Sequence, residues 1–204
     1  MVVEGSRPVP SPRPTLAGRW ARRLLALVGW RVEVAWPPVP KCVIAVYPHT
    51  SNWDFVVGYL AKLASGVPAH FVGKDTIFRG PFAWILRRMG GIPVNRREPT
   101  GLIAQLVREF ERRSWMWLAI APEGTRRYVD HWRSGFYHLA LAAKVPVGLA
   151  YIDYRARVVG LKEYLTLSGD EEADLRRIRE AYAGKTGRHP GQAGAIRLRP
   201  HRPP

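Results

Sequence analysis

The chain contains a single cysteine, Cys42, among its 204 residues. An intrachain disulfide is therefore excluded, and so is a structural zinc site built from several cysteines. Long apolar runs are also missing, because no stretch approaches the roughly 18 consecutive apolar residues of a membrane-spanning helix. The longest apolar run near the start of the chain, residues 24–30, lacks the small-residue cleavage pattern of a secretory signal. The sequence predicts neither a spanning helix nor a secretory signal.

Acidic residues are scarce: 16 Asp and Glu stand against 32 Lys and Arg, which gives a formal net charge of +16. A field of this sign attracts polyanions, that is, nucleic acid, an anionic membrane surface or phosphorylated substrates. A nucleic-acid-binding protein is therefore one alternative, although zinc-finger spacing and an RNP-type aromatic motif are both absent. The glycine motifs that cradle the phosphates of nucleotides are absent too.

Composition divides the chain into four segments. The first is rich in Pro, Ser and Arg and the last in Gly, Pro and Arg, and both lack an apolar period, so they are predicted to be flexible. Between them lie an amphipathic helix and one folded domain. The predicted boundaries are 1–15 for the arm, 16–31 for the helix, 32–183 for the domain and 184–204 for a basic flexible tail.

The amphipathic helix has a basic face and an apolar face. Trp20 and Leu24 fall on one half of its helical wheel, whereas Arg19, Arg22 and Arg23 fall on the other. This pattern is typical of a helix that lies in a membrane interface. The alternative is a helix that packs on the domain and leaves its basic face in solvent. We expect membrane contact, with Trp20 as an interfacial anchor.

Apolar β-branched runs alternate with segments of helical periodicity along the rest of the chain. This alternation predicts a single α/β domain with a mostly parallel or mixed central sheet flanked by helices. The predicted strands are 42–47, 69–72, 92–94, 115–121, 145–151 and 158–167, and the predicted helices are 51–65, 78–89, 100–113, 135–143 and 170–183.

The segment Pro48-His49-Thr50-Ser51-Asn52-Trp53-Asp54 follows directly on the first predicted strand. Ligands of open α/β sheets bind at the carboxyl ends of strands, which places His49 where chemistry is expected. Residues five apart on a helix point about 140° away from each other, so His49 and Asp54 can pair only if His49 lies in the loop and Asp54 in the first helical turn. An Asp bonded to one imidazole nitrogen fixes the tautomer and raises the basicity of the other. The segment predicts a general base; the alternative is a capped helix start with an incidental histidine.

A second loop, Ala121-Pro122-Glu123-Gly124-Thr125-Arg126, also follows an apolar strand and is expected at the same edge of the sheet. Gly124 permits close approach of a backbone, and Arg126 is suited to bidentate binding of a phosphate. Alone, this segment could equally be a turn with an ordinary surface arginine.

Together the two segments resemble the glycerolipid acyltransferase family, which includes the 1-acylglycerol-3-phosphate acyltransferases. Its H-x-x-x-x-D motif is matched by His49 and Asp54, and its E-G-T-R motif by residues 123–126. A family segment that ends in a phosphate-contacting arginine resembles residues 90–96, so that Arg96 is the matching residue. Lys74 corresponds more loosely to a basic position of the family. The resemblance extends over about residues 19–154 and implies a fold like that of glycerol-3-phosphate acyltransferase.

The resemblance implies transfer of an acyl group from a thioester to a hydroxyl. The donor would be acyl-CoA or acyl carrier protein, and the acceptor a lysophospholipid, with 1-acylglycerol-3-phosphate the first choice. His49 would act as general base and Asp54 as its partner, with no covalent intermediate, no metal and no cofactor beyond the co-substrate. Arg96 and Arg126 would bind the acceptor phosphate. The other residues implied in substrate binding are Glu123, Gly124, Thr125 and Lys74.

The implied location is the cytoplasmic face of a membrane, to which the enzyme binds as a peripheral or monotopic protein. A catalytically inactive relative that only binds lipid is the main alternative. A metalloenzyme is less favoured, because the six histidines are dispersed. The sequence leaves the oligomeric state open.

Overall fold

A computed structural model describes residues 15–81, 83–94 and 99–199. Arg96, the segment 1–14 and the last five residues of the chain lie outside these ranges. Helices and strands alternate over most of the described chain. In chain order they are α1 (Leu16–Leu27), β1 (Arg31–Val34), β2 (Lys41–Tyr47), α2 (Trp53–Ser65), β3 (His70–Lys74), α3 (Ala83–Arg88), β4 (Gly91–Val94), α4 (Pro99–Arg112), β5 (Met116–Ile120), α5 (Gly135–Ala142), β6 (Val147–Asp153), β7 (Val158–Leu165) and α6 (Glu171–Tyr182).

The strands form one seven-stranded sheet in the order β1-β7-β6-β2-β5-β3-β4. Strands β2 to β6 are parallel to one another, whereas β7 pairs antiparallel with β6, so the sheet is mixed. The predicted α/β domain with a mixed central sheet is confirmed. The short edge strand β1 was not predicted, because its four residues follow α1 closely and carry only two apolar side chains.

The central strand β2 is buried on both faces, which explains its continuous apolar sequence. Val43 and Ala45 face a core formed with α4, α5 and α6. Cys42 and Ile44 face the opposite side, where a second core continues beneath α1 and α2. Burial raises the pKa of the Cys42 thiol to about 12, so this cysteine is an inert core residue.

Helix α1 packs on α2 through a narrow strip of small side chains. Thr15 caps its start by accepting a hydrogen bond from the Gly18 amide at 2.9 Å. A Cβ atom at Gly18 would lie 2.6 Å from the Leu63 carbonyl oxygen, so the two backbones approach each other closely there. Ala21 and Leu25 are buried beside it. Four other large apolar side chains of α1 stay exposed, namely Leu16, Trp20, Leu24 and Leu27.

The prediction of a flexible tail over 184–204 is wrong for residues 184–199, which we term the C-terminal strap. The strap packs across the end of the sheet: Leu198 is buried and pairs with Trp132, and the Gly194 amide donates to Glu123. The glycines that suggested a loose chain instead allow it to lie flat against its neighbours, because a Cβ at Gly194 would stand 2.7 Å from Val129. No helix within the described ranges is long and apolar enough to cross a bilayer.

Candidate active site

The sheet brings the two sequence motifs to one edge. Strands β2 and β5 are adjacent and parallel, with Ala45 opposite Ile120 near their carboxyl ends. The loop after β2 (residues 48–52) and the loop after β5 (residues 121–134) therefore emerge side by side. Strands β3, β4 and β6 end at this same carboxyl edge, which is the ligand-binding edge of open α/β sheets.

His49 and Asp54 form a pair in the arrangement that the spacing predicts. His49 lies in the loop, Asp54 lies in the first turn of α2, and Nδ1 of the imidazole is 3.2 Å from Oδ2 of the carboxylate. The His49 side chain is 20% exposed, whereas that of Asp54 is 1% exposed. Because Nδ1 faces the carboxylate, Nε2 is the ring nitrogen left for a substrate.

Four groups surround the Asp54 carboxylate. Oδ2 accepts hydrogen bonds from the amides of Thr50 (2.7 Å) and Ser51 (2.8 Å) and faces His49, while Oδ1 accepts one from the Tyr154 hydroxyl at 2.8 Å. Burial alone raises the pKa of Asp54, but the hydrogen bonds from His49, Ser51 and Tyr154 together outweigh it and leave the pKa below its ordinary value. Asp54 is therefore ionised at neutral pH.

Glu123 is the second buried carboxyl group of the site and joins three segments of the chain. Its Oε2 accepts from the His49 amide at 2.6 Å, and its Oε1 accepts from the Gly194 amide of the strap at 2.7 Å. Burial raises the pKa of Glu123 to about 7, against the opposing effect of these two hydrogen bonds. Glu123 fixes the backbone of the histidine loop rather than presenting itself to a substrate.

The rest of the E-G-T-R loop turns outward. Gly124 has φ +66°, and a Cβ atom there would meet the Arg133 side chain at 2.5 Å, so both the conformation and the space require glycine. Thr125 is half-buried and its hydroxyl accepts from the Arg127 amide at 3.3 Å. The Arg126 side chain is exposed.

The other two predicted binding residues are Lys74 and Arg96. Lys74 is the last residue of β3 and is exposed at the carboxyl edge, two strands away from β2. Arg96 lies outside the described residues. The structure therefore brings His49, Asp54, Glu123 and Gly124 into one cluster, whereas Arg126 is exposed in the E-G-T-R loop and Lys74 is exposed two strands away.

Sequence reasoning missed Tyr154 and the strap. Tyr154 directly follows β6, the other neighbour of β2, so its position after a predicted strand was a signal that it lies at this edge. Its hydroxyl reaches Asp54, and its ring packs edge-on against Trp30 at 4.9 Å between centroids. The strap gave no comparable signal, because its contacts join residues far apart in the chain. Within the described ranges no cluster of His, Cys, Asp or Glu side chains could hold a metal ion.

The α/β fold and the His49–Asp54 pair at its ligand-binding edge have the arrangement of an enzyme. The family model for acyltransferases matches residues 36–150, and the chain belongs to this acyltransferase family. The match includes His49, Asp54 and Glu123 and ends before Tyr154 and the strap.

A solved structure with a similar fold is that of the 1-acyl-sn-glycerophosphate (LPA) acyltransferase PlsC from Thermotoga maritima. The TM-score is 0.52 and the sequence identity 16%, over 84% of this chain and 80% of that one. No curated protein sequence gives a significant match.

Proposed function

We propose that the protein transfers an acyl group from a thioester donor, acyl-CoA or acyl carrier protein, to the hydroxyl of a lysophospholipid acceptor such as 1-acylglycerol-3-phosphate. The observation that carries the proposal is the geometry of His49: Nδ1 is held by an ionised, buried carboxylate, and Nε2 is left at the ligand-binding edge of an acyltransferase domain. Acyl transfer to a hydroxyl needs such a base and needs no nucleophile on the enzyme.

In the proposed mechanism, Nε2 of His49 accepts the proton of the acceptor hydroxyl as its oxygen attacks the thioester carbonyl. A C–O bond forms, and the tetrahedral intermediate collapses with loss of the C–S bond. The imidazolium returns the proton to the leaving sulfur, so the products are an ester and a free thiol. Asp54 stabilises the imidazolium between these two transfers, because its carboxylate is ionised beside Nδ1.

The identity of the acceptor rests on charge. The chain carries a net charge of +16, and the side chains of Arg126 and Lys74 are exposed. Arg126 and Arg96 are proposed to bind the acceptor phosphate, with Lys74 in a lesser role. Arginine suits this role because its guanidinium can bind a phosphate with two hydrogen bonds.

The proposal includes peripheral binding to the cytoplasmic face of a membrane through α1. The exposed fractions of Trp20, Leu24 and Leu27 are 67%, 50% and 84%, although Ala21 and Leu25 hold the same helix on the domain. Exposed apolar side chains flanked by arginines suit the interface of an anionic bilayer. Changing Trp20, Leu24 and Leu27 to serine should abolish flotation with anionic liposomes without lowering the melting temperature. Flotation equal to that of the wild type would contradict membrane contact through α1.

The direct test is thiol release from a long-chain acyl-CoA, with and without lysophosphatidic acid, by the wild type and by His49→Ala. We expect release to require both the acceptor and His49, with a loss on the order of 10³-fold in the variant. Thermal melting of the variant controls for misfolding. Turnover of His49→Ala within tenfold of the wild type would remove His49 from the mechanism. No transfer by the wild type with either acyl carrier would favour an inactive, lipid-binding relative.

A further inference from the structure

The C-terminal strap brings a cation to the mouth of the His49 site. It lies outside residues 36–150, the stretch that matches the acyltransferase family. Its one arginine close to the catalytic pair is Arg188, which is exposed. The guanidinium carbon of Arg188 lies 5.6 Å from the centroid of the Trp53 ring and 6.0 Å from that of the Tyr154 ring. Trp53 belongs to the histidine motif, and Tyr154 donates a hydrogen bond to Asp54.

The backbone on both sides of Arg188 is fixed to the site. The Gly187 Cα is so close to Thr50 that a Cβ there would stand 2.7 Å from the threonine Oγ1. The amide of His189 donates to that same oxygen at 3.2 Å. Just upstream, the carbonyl of Thr186 accepts from the Tyr154 amide at 2.8 Å. Arg188 therefore projects from a chain segment that is anchored on the catalytic loop.

The charge of Arg188 is available to a ligand. Among the described residues no carboxylate lies within ion-pair distance of its guanidinium. Tyr154 links Arg188 to the Asp54 carboxylate, because its ring lies near Arg188 and its hydroxyl donates to Asp54. The oxygens of Asp54 already have other partners, namely the amides of residues 50 and 51, His49 and the tyrosine. A guanidinium within about 6 Å of an aromatic ring is attracted to the ring face, and it can still bind a phosphate with two of its N–H groups.

We infer that Arg188 of the strap forms a phosphate-binding subsite at the mouth of the His49–Asp54 site. The inference rests on the proposed function, because both substrates of that reaction carry phosphate: the lysophospholipid acceptor in its headgroup, and the donor in coenzyme A or in the phosphopantetheine arm of acyl carrier protein. The Arg188 guanidinium lies near the rings of Trp53 and Tyr154, and Tyr154 donates to the carboxylate that holds the base, so the subsite adjoins the His49–Asp54 pair.

The test compares Arg188→Gln with Arg176→Gln, a matched change of an exposed arginine on α6. The standard pair of substrates is acyl-CoA and lysophosphatidic acid. Two phosphate-free analogues complete the set: monoacylglycerol as acceptor and the N-acetylcysteamine thioester as donor. Arg188→Gln should raise KM for one phosphate-bearing substrate by about ten- to a hundredfold, with little change in kcat, because a charged hydrogen-bonded pair is lost. Arg188→Lys, which keeps the charge but not the fork of donors, should recover part of this loss.

The analogues identify which phosphate is bound. If KM rises for lysophosphatidic acid and not for monoacylglycerol, Arg188 binds the acceptor; if it rises for acyl-CoA and not for the N-acetylcysteamine thioester, Arg188 binds the donor. A KM that is unchanged for every substrate, or that rises equally with and without phosphate, would overturn the subsite.

A binding measurement without turnover keeps the inference independent of catalysis. Calorimetric titration with coenzyme A and with glycerol 3-phosphate should show weaker binding of one of them by Arg188→Gln and unchanged binding by Arg176→Gln. Equal affinities of the wild type and Arg188→Gln for both ligands would contradict it. Absence of transfer by the wild type would instead contradict the proposed function itself, so the two failures are distinguishable.

Discussion

The first turn of α2 and the loop after β5 each bury one carboxyl group, and the pKa values of the two groups differ in opposite directions from their ordinary values. Asp54 and Glu123 are 2% and 1% exposed, yet the pKa of Asp54 lies below its ordinary value and that of Glu123 is raised to about 7. Burial acts on both in the same direction. The difference comes from their partners: Asp54 has two amides, a hydroxyl and an imidazole, whereas Glu123 has two amides.

This contrast separates a carboxylate that can assist a base from one that holds the loops together. A charged Asp54 beside Nδ1 stabilises an imidazolium, which is the state that His49 reaches when it takes a proton. Glu123 accepts from the backbone of the histidine loop and of the strap, and among the described residues it forms no hydrogen bond with the imidazole ring. The position of a carboxyl group at the ligand-binding edge is therefore a poor guide to its role. Its hydrogen-bond partners are a better guide.

The largest effect is expected for Asp54→Asn. The amide keeps the size of the side chain but removes the charge that stabilises the imidazolium, so kcat should fall on the order of 10³-fold. Steady-state thiol release measures this change, and circular dichroism controls for the loss of the Thr50 and Ser51 hydrogen bonds. A kcat within tenfold of the wild type would show that the pair is structural.

A smaller effect is expected for Tyr154→Phe, which removes one donor from Asp54 and leaves the ring against Trp30. Loss of a hydrogen bond to a charged group, worth about 1.5 kcal/mol, should lower kcat roughly tenfold with little change in KM. The loss should fall on kcat because Tyr154 acts through the Asp54 carboxylate that it holds beside Nδ1 of His49. A lower melting temperature with an unchanged kcat would show that the role of Tyr154 is merely structural.

The smallest effect on turnover, and a distinctive effect on stability, is expected for Glu123→Gln. Because the folded pKa of Glu123 is raised from 4.5 to about 7, its contribution to stability is present below pH 4.5 and is lost as the pH rises through about 7. Between pH 5 and pH 8 the free energy of unfolding of the wild type should fall by about 2 to 3 kcal/mol because of this group, whereas that of the glutamine variant should not.

Urea unfolding at both pH values measures this loss. Glu123→Gln should be less stable than the wild type at pH 5, because one of the two backbone amides that donate to Glu123 no longer meets an acceptor. The difference in free energy of unfolding between the two proteins should narrow at pH 8. A difference that is the same at both pH values would mean that Glu123 is ionised throughout.

The sheet and the His49–Asp54 pair were predictable because their signals are local. Strand β2 is an uninterrupted apolar run, and the five-residue spacing of His49 and Asp54 has one solution when a loop leads into a helix. Helical periodicity likewise indicated α4 and α6 to within one or two residues of their ends.

The strap and the protonation of Glu123 were not predictable, because they depend on contacts between distant residues. Gly194 reaches Glu123 from 71 positions away, and His189 reaches Thr50 from 139 positions away. A stretch rich in Gly and Pro has no periodicity to reveal such partners. The strap also packs against Glu123, because a Cβ at Gly194 would stand 3.2 Å from the Glu123 Cγ. Tyr154 is intermediate, since its strand was predicted but its hydrogen bond to Asp54 was not.

The central claim is that Asp54, and not Glu123, is the charged partner of the base. Its most direct test is a ¹³C NMR titration of the carboxyl groups, with the two signals assigned by comparison with Asp54→Asn and Glu123→Gln. The account predicts that Glu123 titrates near pH 7 while Asp54 remains ionised down to below the ordinary aspartate range. An Asp54 signal that titrates near neutrality, or a Glu123 signal with an ordinary glutamate pKa, would contradict it.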